Sequence, residues 1–324
     1  MKMWQPDRKV IGPLPASEAD VGELNRVFAD AFTDRYRRDG MVGVRVPALN
    51  PVIWRYALRD AGAGAMLWRD EDDQLVAFNI VHHSGLEGWM GPLAVRPDRQ
   101  RLGVGGAIVR SAVDWLTDQG VTTLGLETMP RTVDNIGFYS RMDFVPGHLT
   151  VTMSGDVVSR QPRERGIRLG QVDDSERTEL LARTRDRLQR SAPGYDFTRE
   201  LELTHELQIG DTTIIERGGE ITAFALWHSA PLADTRAADE LRVLKLFADS
   251  RASFLAVVRD VEAAAARISI RRVAVRCQTA HREAYRELVA RGYRVRWTDL
   301  RMTFAGYPEA DIPEGETLFS NWEI

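Results

Sequence analysis

A single cysteine in 324 residues, Cys277, rules out an intramolecular disulfide. A chain with no disulfide framework suits a reducing compartment, so a cytoplasmic location is the expectation. The opening segment, Met1 to Gly12, lacks the apolar core of a secretory leader, which agrees with that reading. No run approaches the ~20 apolar residues that span a bilayer, so no membrane partner is expected. A basic excess is missing too. Lys and Arg number 43 against 47 Asp and Glu, a net charge of −4, which argues against a general nucleic-acid binder. No metal is expected. Cys277 ends the apolar strand pattern Arg272–Cys277 and reads as an inert core thiol.

What is present is a globular composition, 44% hydrophobic and 28% charged, on a chain long enough for two domains each with its own core. Lys9–Leu14 reads as a strand. Ser17, with Asp20 three residues on, caps a helix whose Val21, Leu24, Val27, Phe28, Ala31 and Phe32 recur at three and four residues. Asn50 and Pro51 look like the cap and first residue of a second helix to about Leu58. Ala65–Trp68 and Gln74–His82 form a hairpin, Trp89–Val95 a strand, Gly103–Gln119 a helix, Leu124–Thr128 a strand, Asn135–Met142 a short helix and His148–Ser154 a last strand. Ser159–Gly166 is charged, carries a proline and has the composition of a linker. The order then repeats: strand Gly166–Leu169, helix Ser175–Arg190, hairpin Thr212–Glu216 with Ile221–His228, strand Leu241–Leu246, helix Ser253–Ala266, strand Arg272–Cys277, helix Arg282–Ala290 and strand Leu300–Phe304. Ala77 and Phe78 fall on Ala223 and Phe224, and Leu124 and Leu126 on Val273 and Val275. A repeat of roughly 150 residues means duplicated domains, expected over 1–158 and 166–324.

The stretch from Leu93 to Ala107 carries the chemistry. A strand ends near Val95, Pro97 stops it, and a glycine-rich turn opens an apolar-periodic helix. The first N–H groups of a helix lack intrahelical partners, and the dipole adds positive potential there, so such a turn is an anion site. Gly103, Gly105 and Gly106 leave no Cβ in the way of a phosphate, and Arg99 and Arg101 flank them. A Walker loop is excluded by the missing Gly-Lys-Ser/Thr ending, and a dinucleotide fingerprint by the glycine spacing. The segment does resemble the signature of the GNAT superfamily of N-acetyltransferases, Gln/Arg-x-x-Gly-x-Gly/Ala, matched by Gln100, Gly103 and Gly105, with Val95 and Pro97 as in the family's fourth strand. A second segment, Asp134 to Phe144, resembles that family's Asn, then Tyr within an aromatic pair, then Gly-Phe; Asp143 stands where glycine is usual.

The resemblance implies an α/β (α+β) fold class: two tandem GNAT folds, each a mixed, mostly antiparallel sheet with helices on both faces and a splay between strands 4 and 5. This tandem plan resembles that of mycothiol synthase and related enzymes. It further implies acetyl-CoA as cofactor, bound by the backbone of Leu93 and Val95, by the turn Gln100, Arg101, Leu102, Gly103, Val104, Gly105 and Gly106, and beside Asn135. A small-molecule primary amine would be the acceptor, attacking directly in a ternary complex, with Tyr139 protonating the departing thiolate. The base stays open among Glu127 at the end of a strand, His82 or His83, Glu87 and a water chain. In the second half Gly103 and Gly105 fall on Ala252 and Phe254, and Tyr139 on Leu288. That half is expected to have lost the cofactor, with Phe254 filling the pyrophosphate space, and to serve structure or the acceptor pocket. A monomer or homodimer fits equally. The alternatives are a non-catalytic acyl-CoA-binding regulator or scaffold, and an acyltransferase for a longer acyl-CoA or a protein N-terminus.

Overall fold

A computed structural model describes residues 9–157, 165–234 and 236–322. The first pass along the chain gives β1 (Val10–Pro15), α1 (Val21–Arg38), α2 (Pro51–Ala61), β2 (Ala65–Asp70), β3 (Leu75–Ser84), β4 (Glu87–Val95), α3 (Val104–Asp118), β5 (Thr123–Thr128), α4 (Val133–Ser140) and β6 (Phe144–Asp156). The second gives β7 (Ile167–Arg168), α5 (Asp174–Ser191), α6 (Thr198–Glu206), β8 (Gly210–Arg217), β9 (Glu220–His228), β10 (Glu240–Ala248), α7 (Arg251–Arg267), β11 (Arg272–Gln278), α8 (Arg282–Ala290), β12 (Arg294–Phe304) and β13 (Thr317–Ser320). Most of the linker expected at Ser159–Gly166 lies outside the described residues.

Local rules explain most elements. Ser17 and Asp20 form a capping box ahead of α1, whose three- and four-residue spacing buries Leu24, Val27, Phe28 and Ala31. Asn50 accepts from the Val52 amide at 3.1 Å and Pro51 opens α2. Two elements have no expectation behind them. In α6 the inward positions include Glu200 and Thr204, which breaks the apolar period. Strand β13 is four residues long and follows a loop rich in proline and glycine.

The two passes do not make two separate sheets. Strand order is β1-β2-β3-β4-β5-β12-β6-β11-β10-β9-β8-β7, with β13 paired to β10. The sixth strand of each pass crosses over: β6 pairs with β11 from Thr150 to Asp156, and β12 pairs with β5 from Gly125 to Thr128. The order reads the same from either edge once each strand is exchanged for its repeat, the mark of an internal two-fold relation. A boundary near 158–166 therefore divides the chain but not the sheet. Each core needs the other half's strand: Met302 of β12 packs with Val109, Leu124, Leu126 and Phe144, while Val151 and Met153 of β6 pack with Val257, Val273 and Leu288.

Candidate active site

Strands β4 and β5 run parallel from the pair Glu87–Thr123 to the pair Met90–Leu126, and there the ladder stops. Among the described residues Gly91 to Val95 has no strand partner on that edge, and Pro92 has no N–H to offer one. Beyond β4 the chain makes a turn at Pro97–Arg99 and enters α3 through Gly103, whose φ of 84° favours glycine. Gln100 holds this turn: its Nε2 donates to the Val95 carbonyl at 2.9 Å, and its Oε1 accepts from Arg38 at 2.8 Å. No side chain caps α3, so its first amides stay directed at the turn. A Cβ on Gly105 would meet only Phe138, at 3.5 Å.

The open split and the helix start share one cavity of about 870 Å³. Leu93, Val95, Gln100, Arg101, Gly103, Gly105, Gly106, Asn135, Tyr139 and Glu127 all line it. Leu102 is exposed at the turn and Val104 packs beside Met66 and Ile108, so neither side chain lines the cavity wall. Arg99 departs from expectation. It is buried, and its guanidinium donates to Asp70 at 2.6 Å, so it braces the turn from behind.

Tyr139 lies on α4 between Phe138 and Phe144. Burial pushes its phenol up to about 12, which keeps it protonated at neutral pH. Asp143 adopts φ 65°, and its repeat Gly292 has 88°, so the turn after α4 survives the loss of glycine. Glu127 accepts from Thr150 at 2.5 Å, from Arg301 at 2.8 Å and from Arg276. Burial alone would raise its pKa, but those two guanidiniums outweigh it and hold it below the ordinary value. His82 is buried away from this cavity, its Nδ1 2.5 Å from Asp60 and its ring stacked on Trp322. His83 is half-buried beside Trp115, its pKa lowered by burial and then by Arg199. Glu87 is buried, accepting from Trp89 at 2.8 Å and from Ser320 at 2.6 Å.

The second half repeats the split and then fills it. Strands β10 and β11 are parallel from Glu240–Arg272 to Val243–Val275. Past that point β13 pairs with Lys245 to Ala248, the register positions that match Pro92 to Val95. The chain's own strand thus lies where the first half is open. The helix start is closed as well: Ser250 caps α7 by accepting from the Ser253 amide at 3.2 Å. Phe254 does not fill a phosphate space. It points into the core and meets Phe319 of β13, ring centroids 6.0 Å apart. Leu288, at the position of Tyr139, is fully buried.

The far wall of the open cavity comes from residues with no sequence signal near the glycine turn: Tyr36 of α1, and Trp297 and Asp299 of the crossed strand β12. Their only trace in the sequence is distance; nothing local ties position 299 to position 93.

Residues 28–144 match the family model described as the acetyltransferase (GNAT) family. No curated protein matches the sequence. Among solved structures, one from Pyrococcus horikoshii described as a candidate acetyltransferase aligns with TM-score 0.64 at 16% identity, covering 96% of this chain and 92% of that one. A tandem GNAT protein from the clavulanic acid biosynthesis pathway aligns at 0.60 and 13%, covering 94% and 100%. N-myristoyltransferase of Saccharomyces cerevisiae with bound myristoyl-CoA aligns at 0.62 and 11%, covering 94% and 80%. Identities this low speak for a shared fold. Residues 28–144, which build the split, the glycine turn and Tyr139, thus match the GNAT acetyltransferase family, and the chain as a whole shares its fold with a tandem GNAT protein.

Proposed function

We propose that the protein transfers an acyl group, acetyl in the first instance, from coenzyme A to a primary amine of a small molecule, at a single site in its first half. The observation that carries this is the contrast between the halves: one split is open above an uncapped glycine-rich helix start, and the other is occupied by β13 above a capped one. Pantetheine would run along the free edge from Gly91 to Val95, and the pyrophosphate would take the amides from Arg101 to Gly106, where the helix dipole and Arg101 favour negative charge. The acceptor nitrogen must shed a proton before it can attack, since an alkylammonium with pKa near ~10 has no free lone pair. The amine then forms its bond to the thioester carbon. As the C–S bond breaks, Tyr139 donates its proton to the leaving sulfur and recovers one from the nitrogen through solvent. The net products are amide, free thiol and one proton.

Two measurements test this together. Calorimetry with acetyl-CoA should give one site per chain, abolished by Gly105→Glu. That variant has room for its Cβ, so the loss reports the phosphate site: the carboxylate takes the place of an anion held by hydrogen bonds worth roughly 1.5–3 kcal/mol each. A screen of amines that follows thiol release should find an acceptor; two equivalent binding sites, or no acylated amine, would return the reading to a regulator or scaffold.

A further inference from the structure

The cavity has opposite electrical character at its two ends. Its helix end is built for phosphate. At the other end stand the carboxylates of Glu127 and Asp299, which share the guanidinium of Arg276 behind the wall; Glu127 also binds Arg301, which Glu309 holds from outside this cavity. Glu127 is satisfied from both oxygens, and Glu309 receives Arg301 at 2.9 and 3.0 Å. Asp299 is the weakly served member: among the described residues its one ion pair is the shared Arg276, at 3.3 Å, and Trp297 Nε1 donates to its other oxygen at 3.1 Å. Its side chain is 16% exposed, and that exposure opens on the cavity.

Beside it stand two aromatic rings. Tyr36 and Trp297 have centroids 6.0 Å apart, and Trp297 is 36% exposed although tryptophan normally hides most of its surface. An aromatic rim next to an underpaired carboxylate is the recognition chemistry of an organic cation.

We infer that Tyr36, Trp297 and Asp299 form the acceptor subsite, that it takes a primary ammonium on an apolar stem, and that Asp299 receives the ammonium proton. This rests on the reading that the first half transfers an acyl group to an amine, and it names the acceptor class and the base that reading left open. Asp299 is supplied by β12, so the second half contributes to the chemistry through the crossed strand. The groups facing Asp299 are Arg276 from β11, Glu127 from β5 and the Tyr36 phenol from α1. Burial first, and the charge of Glu127 next, raise the Asp299 carboxyl to about 6 against the pull of Arg276. It is therefore ionised at neutral pH yet more basic than an ordinary aspartate, and the proton it takes from R–NH₃⁺ leaves the amine lone pair free to attack.

The probe is phenethylamine. Its binding to the coenzyme A complex is measured by calorimetry, and its acylation by acetyl-CoA is followed from pH 5 to 9, for wild type, Asp299→Asn and Trp297→Leu. Wild type should bind it. Asp299→Asn should weaken binding by roughly 10- to 100-fold, the worth of a hydrogen bond to a charged group, lower kcat and lose the acid limb near pH 6, while coenzyme A affinity holds. Trp297→Leu keeps the Asp299–Arg276 pair, so it should weaken phenethylamine binding while keeping the acid limb, and it serves should Asp299→Asn not fold. Binding without turnover in wild type would sink the transfer reading and keep the subsite. No binding, or equal binding and pH profiles in the variants and wild type, would overturn the subsite even if other amines were acylated.

Discussion

Tyr139 shows how far one side chain can be read. It lines the cavity on a short helix whose other ring, Phe138, lies against Gly105. Burial keeps the phenol neutral, which suits a proton donor and leaves it a poor base. Tyr139→Phe keeps the ring and its contacts with Phe138 and Phe144, so coenzyme A affinity should stay within about twofold while kcat falls. A positioned acid typically contributes roughly 10²–10⁴-fold, and the lower end is expected here because a thiolate with pKa near ~8.5 departs readily. Steady-state rates across pH on an amine from the screen decide it. Wild-type turnover by Tyr139→Phe along the whole alkaline limb removes the assignment. The glycine turn and Tyr139 were legible because each is carried by a short local pattern. Asp299 was not, because a lone aspartate in the run Arg294–Phe304 looks like any solvated strand residue.

Strand β13 decides the fate of the second half. Four residues supply the backbone partners that Lys245 to Ala248 would otherwise lack, and Phe319 anchors them against Phe254 and His281. Lys245 is buried here, its ammonium 3.0 Å from Ser320 and over the Trp322 ring. The element is too short to show a periodicity, and its function is to complete an edge that only the folded sheet exposes. Phe319→Ala removes a fully buried ring and should cost about 3–5 kcal/mol, seen as a lower midpoint in denaturant. Cofactor stoichiometry should nonetheless remain one per chain, because Ser250 still caps α7. A second coenzyme A site in this variant would mean that β13 alone blocks the second half.

The crossed strands make the molecule one cooperative object. Each half's core contains a strand of the other, and Glu127 of the first half binds Arg276 of the second and Arg301 of β12. Thermal unfolding should therefore show a single calorimetric transition rather than two. Glu127 also gives that transition a pH dependence. Its folded pKa lies below the ordinary 4.5, so the folded state favours its ionised form. The stability it adds is present above that ordinary value and is lost as pH falls through the depressed one. Glu127→Gln should lower Tm at pH 7 by leaving two guanidiniums underpaired, on the order of 3 kcal/mol for a broken buried pair, and should flatten the acid side of the Tm–pH curve. Two separate transitions in wild type, or an acid limb unchanged in Glu127→Gln, would contradict this account.

The sequence by itself determined what local chemistry can encode. Periodicity placed α1 and α3, capping residues placed the starts of α1 and α2, and the glycine turn with Tyr139 marked the candidate cofactor site. It also announced the duplication and the loss of the turn in the second half. Only the tertiary structure decided which strand pairs with which. The apolar faces of β6 and β12 fit either half's core equally well as patterns, because the halves are repeats, and the choice to cross is made by register and packing over the whole sheet. That choice turned Glu127 into a clamp between halves, placed β13 in the second split and brought Trp297 and Asp299 to the wall of the first. Contacts between residues this far apart in the chain leave no period in a sequence, so the far wall of the cavity belongs to the fold.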